Sequence, residues 1–533
     1  MTIKQIIQNI NKKEWLFLAI VSILIILFTS LPYVNGYLVS PKNTYFLPVS
    51  GINQGDYANY FSYIEQAKDG HLLFEDLYTT ETQPRAILNL FFLGLGLISK
   101  FFSLSAVAIF QISRIILIPI FVFIYYLFIS LLFKEKLKRQ LGLFFTCFSA
   151  GVGCLLSLFF TFSGLQAPID LWAPEAFTFV SLYLNPLLIF SLILIVSIFL
   201  LTLLVEKNAS YKYSFLAGIS GLILFQIHPY DIPMISLTLF IFWILSSLIK
   251  KHIDWHIFKH CLIFALISSP SIVYYFWLST SHFITIERFA QASSLIYTPS
   301  ILAFILGYGF ILTLSLIGIY GFLKKKSPCF PFLIAWLITH VALLSFPIPL
   351  QRRTVEGLHL ILCIFAIEGI WIIYKNFNLK RHKIFWVIIF VFLFNFSNVF
   401  IMKGDINYFK GQNVSFPKEL ITSMQWLRAN SSEQAIVISN ADRTTANLIP
   451  AFVVRKTYFG HEIETINSRE KEKEVLKFFQ TNDDDQKNYF FLKNKKIDYV
   501  FVDKTNKNIY QAQEKKYLKN IFENNIVSIY QVL

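Results

Sequence analysis

The chain has 533 residues, of which 55% are hydrophobic and only 15% are charged. A soluble domain carries about 25% charged residues, so the composition argues against a soluble enzyme and against a disordered chain. The formal net charge of +15 would suggest nucleic acid as the partner of a soluble protein, but in a membrane protein it fits the excess of Lys and Arg in cytoplasmic loops. We therefore predict a polytopic membrane protein that lies in the lipid bilayer and has no nucleic-acid partner.

Eleven apolar runs are predicted to span the membrane. They are Trp15–Pro32, Gln111–Phe133, Leu141–Ser163, Ala176–Val205, Phe215–Ile227, Ile232–Ile249, Phe258–Leu278, Ser300–Leu323, Phe330–Phe346, Gly357–Tyr374 and Ile384–Met402. A further run, Ala86–Phe102, contains Asn89, Gly94 and Lys100 and would make a poor spanning helix.

The distribution of positive charge indicates whether the run Ala86–Phe102 crosses the membrane. If it does not cross, 19 of the 28 Lys and Arg residues before residue 404 lie on the side of the N-terminus. The short loops on the other side then hold only Arg288, Arg352 and Arg353. Because cytoplasmic loops are rich in Lys and Arg, we predict that Ala86–Phe102 is an interfacial or re-entrant helix on the outer face. The N-terminus would be cytoplasmic, and the protein would lie in the inner membrane of a bacterium.

The end of the chain differs in composition from the rest. Residues 404–533 contain 19 Lys and Arg and 16 Asp and Glu. We predict a membrane domain over residues 1–403, with a long first outer loop at residues 35–104, and an extracytoplasmic α/β domain over residues 404–533. The tail is predicted to contain helices over Pro417–Asn430, Glu470–Gln480 and Gln513–Phe522, and strands over Ala435–Ser439, Asp498–Asp503 and Ile526–Val532.

Asp56 is the first candidate for a catalytic residue. It lies in the first outer loop, directly after Gly55 and before an aromatic segment. A carboxylate near the membrane surface could take the proton from an acceptor hydroxyl as a lipid-phosphate sugar is attacked. The alternative is that Asp56 caps the N-terminus of a helix, which is a common use of Asp.

Further polar residues lie in the other predicted outer loops. His228 and Asp231 belong to an HPYD turn between two apolar runs. Ionisable residues at such a place either form a functional site or pair with each other across a broken helix. Asp170 and Glu175, in the preceding outer loop, could belong to the same site, but we expect them to be solvated.

Arg352 and Arg353 are the only adjacent positive charges in a short outer loop. Guanidinium groups bind phosphate through bidentate hydrogen bonds, so we predict that the two arginines hold a phosphate group. Pairing with Glu356 or with lipid headgroups is the alternative. His359 follows Glu356 by three residues and would share its face in a helix.

The order of these segments resembles the type C glycosyltransferase (GT-C) superfamily, and within it an uncharacterised bacterial branch. These are polytopic enzymes that use sugars linked to a polyprenyl phosphate. The resemblance covers most of the chain in order and topology, and Asp56 in a long first outer loop is its first element. Its other motifs are YTTETQPRAILNLFFLGLG (78–96), PEAFTFVSLYLNP (174–186), HPYD (228–231), QRRTVEGLH (351–359) and YFGHEIET (458–465).

The resemblance implies a mainly α, polytopic fold with about 11 transmembrane helices. It implies transfer of a sugar from a polyprenyl-phosphate donor to an extracytoplasmic acceptor, which is a glycan, a lipid or a protein. Asp56 matches the position of the catalytic base. The residues assigned to substrate binding are Glu81, His228, Asp231, Arg352, Arg353, Glu356 and His359. The first loop lacks a clean pair of adjacent acids, which leaves dependence on a divalent metal, Mg²⁺ or Mn²⁺, open.

Two other functions are compatible with the composition. A transporter or flippase for a lipid or small solute would contain an internal inverted repeat, and the sequence shows none. A non-catalytic membrane scaffold of the same fold would not need Asp56 or the two arginines.

Overall fold

The computed structural model describes residues 2–52, 54–162, 167–208, 210–295, 299–346, 350–376, 394–440, 443–480, 485–505 and 515–533. The chain folds into two compact units. We call the first the helical unit; it comprises Met1–Pro32, Gln111–Phe276 and Ile296–Asp405. The second, the loop–tail unit, comprises Tyr33–Phe110, Trp277–Leu295 and Ile406–Leu533.

The chain up to residue 376 is mainly helical, as predicted. Its helices are α1 (Ile3–Gln8), α2 (Lys12–Val39), α3 (Gln54–Asp69), α4 (Leu90–Phe101), α5 (Ala106–Leu132), α6 (Lys136–Phe148), α7 (Gly153–Ser157), α8 (Thr178–Leu184), α9 (Pro186–Lys207), α10 (Lys212–Ile227), α11 (Asp231–Lys250), α12 (Trp255–Ser281), α13 (Phe283–Leu295), α14 (Ile301–Lys324), α15 (Phe330–Ser345) and α16 (Leu358–Asn376). Short 3₁₀ turns cover Ile169–Leu171, Pro174–Ala176 and Gln351–Val355.

Seven helical segments in the described part of the chain are long and apolar enough to cross a membrane. They are α2, α5, α9, α11, α12, α14 and the segment Gln351–Asn376. The apolar helices α4, α10 and α15 are shorter. The protein is therefore a multi-pass membrane protein, as the composition predicted.

Two predicted spans are not single helices. The run Leu141–Ser163 is interrupted after α6, and only the five-residue α7 follows. The run Ala176–Val205 is divided at Asn185, whose side chain accepts a hydrogen bond from the backbone N–H of Leu187 at 2.9 Å. Pro186 follows and has no N–H to donate to the preceding turn, so α8 ends and α9 begins there. Hydrophobicity alone did not show these breaks.

The last predicted span and the run Ala86–Phe102 differ from the others. Residues 384–393 of the span Ile384–Met402 lie outside the described residues, and its last seven residues, 396–402, belong to α17 (Phe396–Lys410). The run Ala86–Phe102 forms α4, which has 12 residues and is thus about 18 Å long. Since the hydrocarbon core is about 30 Å thick, α4 is too short to cross it. Its place at the outer membrane surface stays a prediction.

The loop–tail unit contains the predicted α/β arrangement. Strands β3 (Ile436–Ser439), β4 (Lys456–Thr457), β5 (Tyr499–Asp503), β6 (Leu518–Glu523) and β7 (Val527–Val532) form one sheet in the order β4-β3-β5-β7-β6. The strands β4, β3 and β5 are parallel, and β7 and β6 are antiparallel to their neighbours. A second, two-stranded sheet pairs β1 (Thr44–Phe46) with β2 (Ser415–Pro417). The helices of the tail are α18 (Lys418–Asn430), α19 (Arg443–Phe452), α20 (Ser468–Gln480) and α21 (Asp485–Asn494).

Five of the six predicted tail elements are confirmed within two residues at their ends. The predicted helix Gln513–Phe522 is wrong: residues 513 and 514 lie outside the described residues, and β6 begins at Leu518. Asn524 explains the strand, because its side chain accepts hydrogen bonds from the N–H groups of Ile526 and Val527 at 3.0 and 2.7 Å. This turn folds β6 back onto β7 as a hairpin.

Candidate active site

Asp56 lines a cavity in the loop–tail unit. It lies in the first turn of α3, where an acidic side chain interacts favourably with the helix dipole. It is inside the helix rather than at the capping position before it, so the capping alternative does not describe it. The cavity has a volume of about 280 Å³, and its polar lining includes Gln54, Asn447, His461 and Glu462. The side chain of Asp56 is 25% exposed, which leaves a carboxylate open to a small ligand.

His461 lies next to one carboxylate oxygen of Asp56. Its Nδ1 accepts hydrogen bonds from the backbone N–H groups of Ile463 and Glu464 at 3.1 and 3.2 Å. A ring nitrogen that accepts a hydrogen bond carries no hydrogen, so these contacts assign the N–H to Nε2. Nε2 lies 3.6 Å from Asp56 Oδ1. The ring N–H therefore faces the carboxylate, at a distance slightly longer than a hydrogen bond.

Charged groups fix the turn that carries His461. Arg288, on α13, pairs with Glu464 and has its Nε 3.4 Å from Asp76 Oδ2. Burial raises the pKa of Asp76, and Arg288 opposes part of that increase. Gln291, also on α13, donates a hydrogen bond to the Thr465 carbonyl at 3.0 Å. Sequence analysis singled out the segment 458–465 and Arg288 separately, but it did not predict the contacts between them.

Glu81 forms an ion pair in the same unit. Its Oε1 lies 2.8 Å from Lys471 Nζ, and its side chain is 27% exposed. Burial raises the pKa of Glu81, but hydrogen bonds from Lys471 and Thr79 lower it below its ordinary value overall. Lys471 is on α20, so the pair fastens segment 78–96 to the tail. A role of Glu81 in substrate binding stays a prediction.

The helical unit contains a second cluster of predicted site residues. His228 Nδ1 lies 2.9 Å from Asp231 Oδ2 and 3.1 Å from Glu356 Oε2. All three residues are buried, with exposed fractions of 4%, 0% and 0%. The predicted His–Asp pair is thus present, and a second carboxylate joins it. Gly357 adopts φ +91°, a left-handed conformation that favours glycine, and separates Glu356 from α16.

Arg353 pairs with an acid that the sequence did not indicate. Its Nη1 lies 2.5 Å from Glu175 Oε1, which replaces the predicted alternative of pairing with Glu356. Glu175 is only 2% exposed, so the expectation that it is solvated is wrong. Burial raises the pKa of Glu175, but Arg353 and then Arg352 lower it to about 2. The guanidinium of Arg352 lies 5.1 Å from the ring centre of Trp172, within the range of a cation–π contact.

Asp170 is also buried, contrary to expectation. Its Oδ2 accepts hydrogen bonds from the backbone N–H of Gly153 at 2.9 Å and from the Ser397 hydroxyl at 2.6 Å. Burial raises the pKa of Asp170 to about 7. These contacts connect the start of α7 to α17, so we assign Asp170 to the structure of the helical unit and not to the site.

His359 does not share a face with Glu356. Glu356 precedes α16 and is separated from it by Gly357, so the expected helical spacing between the two residues is wrong. The ring nitrogens of His359 lie 2.9 Å from the Thr178 hydroxyl and 3.2 Å from the Ser149 hydroxyl. A role of His359 in substrate binding stays a prediction.

Within the helical unit, loops predicted to lie on the same side of the membrane contact one another. The segments 174–176, 228–231 and 351–357, which are predicted to be outer loops, meet through the two ion-pair clusters. Lys138 and Lys325, from loops assigned to the cytoplasmic side, both contact Glu368. Arg139 pairs with Glu14 at 2.5 Å. The orientation of the chain across the membrane stays a prediction.

The predicted motifs therefore fall into two groups. In the loop–tail unit, the structure brings together Asp56, the segment beginning at Tyr78 and the segment 458–465. In the helical unit, it brings together Glu175, the HPYD turn and the segment that begins at Gln351. A single site that contains both groups stays a prediction.

Comparisons with known proteins show similarity in structure only. No protein-family model matches the sequence, and no curated protein sequence is similar to it. The oligosaccharyltransferase of Archaeoglobus fulgidus, solved in complex with Zn and sulfate, superposes with a TM-score of 0.53 at 13% identity, over 91% of this chain and 68% of that chain. The archaeal oligosaccharyltransferase AglB from Archaeoglobus fulgidus, in complex with an inhibitory peptide and a dolichol-phosphate, gives 0.52 at 12% identity, over 92% and 70%.

The mycobacterial arabinofuranosyltransferase AftD gives a TM-score of 0.54 at 12% identity, over 98% of this chain and 42% of that chain. These likenesses confirm the predicted fold, which this chain shares with the oligosaccharyltransferase and the arabinofuranosyltransferase.

Proposed function

We propose that the chain is a membrane glycosyltransferase that moves a sugar from a polyprenyl-phosphate donor to an acceptor hydroxyl or amide outside the cytoplasm. The observation that carries the proposal is an open carboxylate, Asp56, on a cavity of about 280 Å³ in a chain with the GT-C fold. Similar structures support the choice of donor, since one of them contains a dolichol-phosphate.

Asp56 acts as the general base of the proposed reaction. Its carboxylate takes the proton from the acceptor as the acceptor atom bonds to the anomeric carbon, and the bond from that carbon to the phosphate oxygen breaks. The polyprenyl phosphate leaves with the electron pair of that bond. His461 is a positioning residue, because its N–H faces Asp56 Oδ1 and leaves the rest of the carboxylate to the acceptor.

Arg352 and Arg353 are the proposed ligands of the donor phosphate. They carry permanent positive charge beside the buried carboxylate of Glu175, and a guanidinium bound to a carboxylate on one edge still has donors on another edge. Donor binding at the arginines and acceptor binding at Asp56 require the two groups of residues to serve one reaction, which is part of the proposal. Dependence on Mg²⁺ or Mn²⁺ also belongs to the proposal; a similar oligosaccharyltransferase was solved with Zn.

Lipid analysis of a strain that lacks the chain tests this function. We expect a polyprenyl-phosphate sugar to accumulate in that strain and to disappear when the wild-type chain is restored. The Asp56→Asn variant should not remove the accumulated lipid, because an amide cannot take the proton. Asp69→Asn is the matched control: Asp69 lies at the other end of α3, pairs with Arg428 and does not line the cavity.

The proposal makes two separable claims. Clearance of the lipid by a folded Asp56→Asn variant at the wild-type rate would remove the base assignment. No accumulation in the deletion strain, together with no turnover of polyprenyl-phosphate sugars by the purified chain, would refute the glycosyltransferase itself.

A further inference from the structure

We propose that His228, Asp231 and Glu356 form a binding site for one divalent transition-metal ion, Mn²⁺ or Zn²⁺. The three residues come from the end of α10, the start of α11 and the turn before α16. One nitrogen and two carboxylate oxygens from these residues all lie within 4.8 Å of one another. The cluster lies wholly in the helical unit and does not include Asp56.

The distances fit the ligands of a single ion. Zn²⁺ takes nitrogen and oxygen ligands at about 2.0–2.2 Å, which places neighbouring ligand atoms about 3 Å apart in an octahedral arrangement and slightly farther apart in a tetrahedral one. His228 Nδ1 lies 2.9 Å from Asp231 Oδ2 and 3.1 Å from Glu356 Oε2. Closure around an ion therefore requires only small side-chain movements.

The cluster also holds buried oxygens without hydrogen-bond partners. Within the part of the chain that the structure describes, Asp231 Oδ1 and both oxygens of Glu356 accept no hydrogen bond. A single imidazole Nδ1 can donate one hydrogen, so it satisfies one carboxylate and leaves the other uncompensated. A buried carboxylate without a partner is costly. A divalent ion would neutralise both acids at once.

The ligand types select the class of ion. Mg²⁺ and Ca²⁺ prefer a shell of oxygen ligands, whereas an imidazole nitrogen suits Zn²⁺ and other transition ions and carboxylates suit Mn²⁺. One imidazole and two carboxylates therefore favour Mn²⁺ or Zn²⁺ over Mg²⁺. Three protein ligands leave at least one position open, and a donor phosphate oxygen has the right chemistry for it. This last step rests on the proposed function, while the metal site itself does not.

Direct metal binding tests the site. The full-length protein, purified in detergent and dialysed against a chelator, is titrated with Mn²⁺ while electron paramagnetic resonance measures the free ion. Zn²⁺ content is measured by elemental analysis. We expect one ion per chain, and a loss of affinity of at least ~100-fold in Asp231→Asn and in Glu356→Gln.

The matched control is Asp254→Asn, which should bind the ion like the wild type. Asp254 is a buried carboxylate just beyond the opposite end of α11, and it pairs with Lys250 at 2.6 Å. Gel filtration and circular dichroism establish that each variant is folded. If a variant does not fold, X-ray absorption at the zinc edge of the wild-type protein identifies the ligands of the ion instead. We expect one imidazole and otherwise oxygen ligands.

Three results would overturn the site. They are a wild-type protein that binds no ion, folded Asp231→Asn and Glu356→Gln variants with unchanged affinity, and an absorption spectrum without an imidazole ligand. Ion binding by a chain that transfers no sugar would refute the proposed function and leave the site intact. Sugar transfer by a chain that binds no ion would refute the metal site and leave the proposed function intact.

Discussion

The ion pair between Arg353 and Glu175 allows the structural and the functional role of an arginine to be separated. Arg353 Nη1 lies 2.5 Å from Glu175 Oε1, and the carboxylate is buried. Replacement of Arg353 by Gln leaves that carboxylate without its main partner. The double variant Arg353→Gln/Glu175→Gln removes both charges and puts two amides in their place.

The size of the effect follows from the pKa of Glu175. Burial raises it, and the two arginines bring it to about 2 from an ordinary value of 4.5. That difference corresponds to about 3 kcal/mol of favourable interaction with the charged form, at 1.36 kcal/mol per pKa unit. We therefore expect Arg353→Gln to lower the free energy of unfolding by about 3–5 kcal/mol. The double variant should recover this loss to within about 1 kcal/mol of the wild type.

The contribution of the Arg353–Glu175 pair to stability depends on pH in a direction that follows from the pKa of Glu175. The folded-state pKa of Glu175 is below its unfolded-state value, so the contribution of the pair is fully present above about pH 4.5. It is lost as the pH falls from there towards 2. Over that same interval the wild type should lose stability relative to the double variant, which has no carboxylate to protonate at this position.

Two assays on the same proteins complete the experiment. Unfolding in mixed detergent and sodium dodecyl sulfate micelles gives the free energies. Donor concentration curves then show whether the stable double variant still binds the polyprenyl-phosphate sugar; loss of a charge-assisted contact predicts a KM increase of about 10–100-fold. A double variant as unstable as Arg353→Gln would refute the pairing. A stable double variant with unchanged KM would refute the phosphate role of Arg353.

Two further predictions concern Asp170 and His461. Because burial raises the pKa of Asp170 from 3.8 to about 7, the folded chain keeps a proton that the unfolded chain releases, and this residue should cost the wild type about 3 kcal/mol of stability as the pH rises from 4 to 7. Asp170→Asn should remove that slope in unfolding curves measured across the interval, and an unchanged slope would contradict the assignment. His461→Asn can still accept the backbone N–H groups of the turn but cannot reach Asp56; sugar transfer should fall about tenfold (~1.4 kcal/mol) with an unchanged melting temperature, whereas His461→Ala should lower both.

The membrane fold could be predicted because it depends on composition and on charge summed over long segments. Apolar runs and the positive-inside bias locate helices such as α11 and α14 within one residue at each end. The predicted elements are wrong where one or two residues interrupt a helix or close a turn regardless of the hydrophobic pattern around them. Asn185 and Pro186 divide one apolar run, and Asn524 closes a hairpin where a helix was predicted.

The burial of two acidic residues, Asp170 and Glu175, was harder to predict, because burial is a property of the fold. Asp170 and Glu175 lie in a short loop between apolar runs, and a carboxylate in such a loop is usually solvated. The structure buries both to 2% exposure. Each then needs a partner, and those partners lie 227 and 178 residues away along the chain. Nothing in the local sequence indicates such a distant contact.

The charge bias nevertheless identified the arginines that needed an explanation. Arg288, Arg352 and Arg353 are the positive charges that the predicted topology places in short outer loops, and the structure gives Arg288 and Arg353 buried acidic partners. A pair that only neutralised Glu175 would be replaceable by packed apolar residues with little loss of stability. Arg353 beside a second arginine therefore suggests a function beyond stability. The double variant Arg353→Gln/Glu175→Gln tests this reasoning, because it removes the guanidinium charge that a phosphate would meet together with the buried carboxylate that would otherwise be left unpaired.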